Sequence, residues 1–253
     1  MMAIPARAMR RLSEPQVRHK PVVVIMGPTA VGKSRVAVEV AKVFETEVLT
    51  ADSRQVYRGM DVGTDKPSRE ERQAVPHRLI DLVNPDETFN AGLYRRQAMD
   101  EIERLYRDSR LPLVVGGTGF YVRTLLKGLC DAPPADPDVR EVLWREAKDQ
   151  GYDRLYARLV EVDPAVAARL HPRDESKVIR ALEVFQLSGR RMSEFQREHG
   201  FAERPFSALI IGLNRDRAAL YRRIEERIDW QLAHGLIEET RQLLAQGCSR
   251  MSA

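Results

Sequence analysis

The chain has 253 residues, of which 43% are apolar and 31% charged, with a formal net charge of +4. That balance belongs to a soluble globular protein with one large domain, or one domain carrying an insertion. The longest apolar runs, Val22 to Met26 and Leu111 to Val115, have strand length and fall far short of the about 18 to 20 residues of a membrane span, which excludes a helical membrane protein.

Cys130 and Cys248 are the only cysteines; they lie far apart and outside any metal-type spacing. A disulfide framework and a zinc site are therefore excluded, and two free thiols in a reducing cytoplasm are expected. The positive charge is local. Residues 1 to 20 hold Arg7, Arg10, Arg11, Arg18 and Lys20 against Glu14, and read as a disordered basic leader. The rest of the chain is close to neutral, so a nucleic-acid partner must be held by local basic clusters.

In chain order, Val22 to Met26 reads as a central parallel strand ending at Gly27. Ser34 to Phe44 reads as a helix, with Val36, Val40, Val43 and Phe44 expected to pack on the sheet. "EVLTADS" (47 to 53) is a second short strand, residues 91 to 110 an amphipathic surface helix, and "LPLVVGG" (111 to 117) another strand. Prolines and acids in "CDAPPADPD" (130 to 138) mark a boundary. The following stretch is helical without a strand signal, until "FSALIIGL" (206 to 213) restores a strand and one long helix runs from Asp216 to about Gln246. The expected organisation is a leader over 1–20, a first core part over 21–130, a helical insertion over 131–204 and the returning core over 205–253. The fold class is α/β: a P-loop NTPase-like parallel sheet flanked by helices, with an all-helical insertion.

Gly27-Pro28-Thr29-Ala30-Val31-Gly32-Lys33-Ser34 satisfies G-x-x-x-x-G-K-[ST] between a strand and a helix. Such a loop turns backbone N–H groups on an oxyanion, adds the positive helix start and the Lys33 charge, and offers the Ser34 hydroxyl to Mg²⁺. A motor or switch NTPase would present a second strand ending in an acid that supports the metal. Here that strand ends in Gly116-Gly117-Thr118-Gly119, and the acid at a strand end is Asp52. Carboxyl ends of strands line the ligand crevice in such sheets, which makes Asp52 a candidate base; an Asx turn formed by "ADS" is the competing explanation. "GGTGFY" (116 to 121) reads either as a tight turn with Phe120 and Tyr121 in the core, or as close-approach glycines with Thr118 as a recognition group.

Taken together, "GPTAVGKS", "ADSRQVYRGMDVGTDKP" (51 to 67), "PHRLID" (76 to 81), "VGGTGFY" (115 to 121), "HPRDESKVIRALEV" (171 to 184) and "RDRAALYRRIEERID" (215 to 229) resemble the bacterial tRNA dimethylallyltransferases, from about residue 21 to 247. Asp65 stands where that family often has Ala, and Arg78 where a second His is frequent. The family usually continues with further helix beyond "CSRMSA", so a C-terminally shortened form is expected.

The resemblance implies transfer of a dimethylallyl group from dimethylallyl diphosphate to N6 of the adenosine 3′ to the tRNA anticodon. It implies Asp52 as the catalytic base, the Gly27 to Ser34 loop with Arg217 and Arg223 as the diphosphate clamp, and Mg²⁺ on Ser34. Contacts to the tRNA anticodon stem-loop are implied for Asp52, Ser53, Arg54, Gln55, Thr118, Arg140, Ser176, Lys177, Val178, Ile179 and Arg180. A base inside a stacked loop must be flipped out to reach such a site, at a cost of a few kcal/mol. The positive residues Arg169, His171, Arg173, Lys177, Arg180, Arg190 and Arg191 of the insertion suit phosphate contacts, against a solvated, ion-paired helical face. A cytoplasmic monomer is expected. The alternatives are a small-molecule or nucleoside kinase using the same loop and strand-end acid, and a non-catalytic RNA-binding module.

Overall fold

The computed structural model describes residues 20–248; the leader expected over residues 1 to 20 lies, apart from Lys20, outside the described residues. Contacts divide the chain into an α/β unit, up to Leu126 and again from Arg204, and a second unit over Lys127–Glu203.

The α/β unit opens with β1 (Pro21–Met26), followed by α1 (Lys33–Val43), β2 (Val48–Thr50), α2 (Arg69–Ala74), β3 (His77–Arg78), α3 (Ala91–Arg107), β4 (Leu113–Gly116) and α4 (Gly119–Lys127). The five-stranded sheet, ordered β3-β2-β4-β1-β5, is completed by β5 (Ser207–Gly212), which pairs with β1 from Pro21↔Ser207 to Met26↔Gly212. Every pair is parallel, and the sheet with its flanking helices bears out the α/β expectation.

Two details of that expectation change. In α1 the buried face is Ala37, Val38 and Ala41, whereas Val36, Val43 and Phe44 are exposed, Val43 at 77%. The small residues at positions 37 and 41, one turn apart, let the helix lie close on the sheet, and Val40 packs against that core as expected while Val36, Val43 and Phe44 point outward. The long C-terminal helix is two helices, α10 (Arg217–Ala233) and α11 (Leu236–Ala245). The break falls at Gly235, whose φ of 98° lies in the left-handed region open to glycine. The strand β3, two residues long, escaped the sequence reading because it is too short to show a period of two.

Core packing follows from the sequence pattern. In α3 an Asn90 side chain caps the N-terminus by accepting from Gly92 and Leu93 N–H, and Tyr94, Ala98, Ile102 and Leu105 form one buried stripe at three- and four-residue spacing. Beside it Glu47 is nearly buried and receives Arg78 (2.7 Å), Arg104 (2.7 Å) and Arg110 (3.0 Å). Burial pushes its carboxyl up, but the hydrogen bonds from Arg78 and Arg104 outweigh this and hold it below the usual range.

The second unit consists, among the described residues, of helices α5 (Pro137–Gln150), α6 (Tyr152–Val162), α7 (Pro164–Ala167), α8 (Glu175–Ser188) and α9 (Met192–His199). Leu143, Leu155, Leu159, Val178, Ile179 and Leu182 form its core. Its central ion pair is Glu183, fully buried, receiving Arg140 Nε (2.9 Å), Arg180 Nη1 (2.5 Å) and the Asp136 N–H (2.7 Å). No helix among the described residues is long and apolar enough to cross a membrane.

Candidate active site

At the carboxyl end of β1 the chain enters the glycine loop. A Cβ on Gly27 would stand 2.6 Å from the Leu213 carbonyl oxygen, so only glycine lets the loop start this close to the end of β5. Ala30 (φ 61°) and Gly32 (φ 105°) carry the left-handed turn that delivers the chain into α1. No side chain caps α1, which leaves its first amides available to an anion. Lys33 Nζ curls back onto the carbonyl oxygens of Gly27 (3.0 Å) and Pro28 (2.8 Å).

The loop borders a cavity of about 400 Å³. Thr29, Ala30, Gly32, Lys33 and Ser34 line one side of it; Thr50, Asp52, Arg54 and Gln55 come from the end of β2. Gly63, Thr64, Asp65, Glu71 and His77 close another side, with Arg223 and Arg227 from α10. Val31 is buried beneath the loop.

Asp52 is half-buried in this cavity and is not turned into the core. Its Oδ1 accepts the N–H of Arg54 (2.8 Å) and Gln55 (3.3 Å), so the Asx turn and the cavity position coexist. Those bonds fix the carboxylate while no other hydrogen bond reaches it among the described residues. The turn is braced from β4: a Cβ on Gly116 would lie 2.0 Å from the Ala51 carbonyl oxygen, Thr118 N–H donates to that same oxygen (3.1 Å), and Thr118 Oγ1 accepts from Ser53 N–H (2.9 Å). Burial pulls the Lys33 ammonium below its usual pKa; nearby Asp52 opposes this, Arg227 adds to it and Asp65 opposes it.

Gln55 donates to the carbonyls of Thr64 (3.1 Å) and Asp65 (2.9 Å), tying the cavity wall to the Asp52 turn. From the other side, Glu239 of α11 accepts the N–H groups of Asp61, Val62 and Gly63 at 2.7 to 2.9 Å. Gln231 of α10 is buried and donates to the Val62 carbonyl at 2.7 Å.

Of the two arginines expected in the clamp, Arg223 donates to the Ala30 carbonyl of the loop (2.8 Å) and lines the cavity. Arg217 is exposed, rests its guanidinium on Tyr221 and does not line the cavity. Six residues before Arg223, it leaves α10 on another face. Arg227, missed in the sequence, does line the cavity and pairs with Asp65 at 3.2 Å. Its signal was present: it follows Arg223 by four residues, one helical turn.

The residues expected on RNA divide. Arg54 and Gln55 line the cavity, while Ser53 and Thr118 hold each other behind the turn. Phe120 is exposed and Tyr121 buried, stacked on Tyr94 at 4.3 Å. In the helical unit Ser176 and Lys177 are exposed. Val178 and Ile179, however, are core side chains, and Arg140 and Arg180 are held on Glu183. Side-chain contacts to RNA from Val178 and Ile179 are thereby corrected: the segment 176 to 180 was taken whole, but a helix presents only part of each turn outward. Of the basic cluster, Arg169 donates to Gln196 and Arg190 is paired with Glu198.

A search against protein families matches the IPP transferase model over residues 55–253. The chain belongs to the tRNA dimethylallyltransferase family. It is 49% identical over 228 residues to a tRNA dimethylallyltransferase of Syntrophobacter fumaroxidans, covering 90% of this chain and 67% of that protein. To the tRNA dimethylallyltransferase of Geobacter sulfurreducens it is 48% identical, covering 90% and 73%. Among solved structures, the full-length tRNA isopentenylpyrophosphate transferase of Bacillus halodurans superposes with a TM-score of 0.63 at 38% identity, over 92% of this chain and 73% of that one. A eukaryotic dimethylallyltransferase acting on tRNA gives 0.76 at 31% identity, over 89% and 56%. As a dimethylallyltransferase family member, the chain joins a prenyl-transfer fold to a glycine loop of the kind that holds nucleotides elsewhere, and the kinase alternative is not favoured.

Proposed function

We propose that this chain transfers the dimethylallyl group of dimethylallyl diphosphate to N6 of the adenosine 3′-adjacent to the tRNA anticodon and releases diphosphate. The observation that carries the reading is the Asp52 carboxylate facing the same cavity as Lys33 and the open start of α1. An adenine exocyclic amine is a weak nucleophile because its lone pair is delocalised into the ring. The reaction therefore needs a proton acceptor at N6 and stabilisation of the leaving anion.

Asp52 takes the N6 proton as the new carbon–nitrogen bond forms and the carbon–oxygen bond to the diphosphate breaks. Lys33, Arg223 and the first amides of α1 hold the departing charge. The turn-forming bonds to Asp52 Oδ1 keep the base oriented without consuming its second oxygen.

The cavity offers Mg²⁺ the Ser34 hydroxyl and the carboxylates of its lining. No group of three or more His, Cys, Asp or Glu that could hold a metal exists among the described residues, so the ion would be held by Ser34, with Asp52, Asp65 and Glu71 as the carboxylates lining the cavity, and largely through substrate oxygens. When bound it supplies charge neutralisation on the diphosphate.

The RNA enters as an anticodon stem-loop with its adenosine extruded, Arg54 and Gln55 lying at the cavity and Ser176 and Lys177 meeting the surrounding backbone. The protein acts as a monomer in the cytoplasm. The test incubates the protein with Mg²⁺, unmodified tRNA and labelled dimethylallyl diphosphate. Labelled tRNA is expected from the wild type, and Asp52→Ala should keep tRNA binding while turnover falls by about 10² or more. Binding without any labelled tRNA from the wild type would instead indicate an RNA-binding module.

A further inference from the structure

Three acids line the cavity, and they are engaged differently. Asp52 accepts from the backbone of its own turn, and Glu71 accepts the Ser68 N–H in the capping box of α2. Asp65 is the one paired with a cavity cation, Arg227. Its placement is imposed by the backbone. With φ at 54°, its N–H donates to the Val62 carbonyl (3.1 Å) and its own carbonyl accepts from Gln55 Nε2 (2.9 Å). A left-handed backbone bonded at both ends fixes where the residue sits at the cavity, and Asp is among the few non-glycine residues that tolerate such a backbone.

The partner is equally constrained. Arg227 is largely covered and follows Arg223 by one turn, and Arg223 is itself anchored on the glycine loop. The two arginines therefore present to the cavity as a pair, one fixed on a neutral carbonyl and the other on a charged carboxylate.

We propose that Asp65 sets the affinity of this cavity for diphosphate-type anions by competing with them for the Arg227 guanidinium. An incoming diphosphate must either draw Arg227 away from Asp65 or share it, and in both cases part of the attraction offsets a pair already made. The cavity then holds the anion less tightly than its cations alone would, which favours release of inorganic pyrophosphate after transfer. This inference rests on the reading of the cavity as the diphosphate site.

The experiment titrates inorganic pyrophosphate with Mg²⁺ into the full chain by calorimetry, for the wild type, Asp65→Asn, Arg227→Ala, the double variant and Lys33→Ala. Asparagine keeps the volume and the left-handed backbone of Asp65, so folding is retained, and thermal unfolding of each variant checks this. Asp65→Asn is expected to bind pyrophosphate about 2- to 5-fold more tightly, in line with a half-exposed ion pair. The gain should shrink at high salt and vanish in the Arg227→Ala background. Equal or weaker binding by Asp65→Asn, or a gain of the same size without Arg227, overturns the proposal. If Lys33→Ala binds pyrophosphate as tightly as the wild type, the diphosphate reading itself fails; if Lys33→Ala is weakened while Asp65→Asn is unchanged, only the role of Asp65 falls.

Discussion

The helical unit and the cavity of the α/β unit both gather arginines near carboxylates, and they do opposite things with them. In the helical unit, Arg140 and Arg180 converge on the fully buried Glu183 at 2.9 and 2.5 Å. In the cavity, Lys33 and Arg223 rest on backbone carbonyls. A carbonyl is a neutral partner that an arriving anion displaces at small cost, whereas a buried carboxylate binds its arginine in a pair that is expensive to break. Arg140 and Arg180 are structural charges, whereas Lys33 and Arg223 are available in the cavity beside an Arg227 that the half-exposed Asp65 already holds.

The largest test of that contrast is Glu183→Ala. Removing the acid leaves two guanidinium groups half-buried without their partner, and the variant should lose about 3 to 5 kcal/mol in chemical denaturation. A loss within about 0.5 kcal/mol would mean that the arginines reach water freely and that the two regions do not differ.

A smaller effect is expected from acid. Burial raises the Glu183 carboxyl, but hydrogen bonds from Arg140 and Arg180 and the Asp136 N–H hold it below 4.5, and Glu47 behaves likewise under Arg78 and Arg104. A carboxyl depressed in the folded state contributes stability that is complete above its unfolded value and is lost as pH falls through the folded one. The unfolding midpoint should therefore hold from neutral pH down to about 4.5 and decline below it. Glu183→Ala should flatten part of that decline, and an unaltered slope in the variant would remove Glu183 from the account.

The smallest effect belongs to Lys177, exposed on the first turn of α8 and, among the described residues, paired only with Asp174. Lys177→Ala should leave stability within about 0.5 kcal/mol, weaken tRNA binding modestly and reduce the slope of log affinity against log salt by about 1. Unchanged binding and slope would leave the helical unit with no available cation at this position.

Much of the site was legible in the chain because its signals are local. A strand, a glycine loop with lysine and serine, and a helix occupy consecutive residues, and the loop conformation depends on glycines that can be counted. The Asp52 turn is local too, since its partners lie two and three residues further on. A motif records spacing along the chain and not the face of a helix, and the structure places Arg217 outside the cavity lining and the Val178 and Ile179 side chains in the core.

What the amino-acid order determined by itself was the glycine loop between strand and helix, the parallel α/β character and the family, each encoded in contiguous stretches. What only the tertiary structure decided was which charges are free. Glu183 meets Arg140 across 43 residues, and Arg223 meets Ala30 across 193. The energy of an ion pair depends on the burial and distance of its partners in space, and neither quantity is written in their positions along the chain.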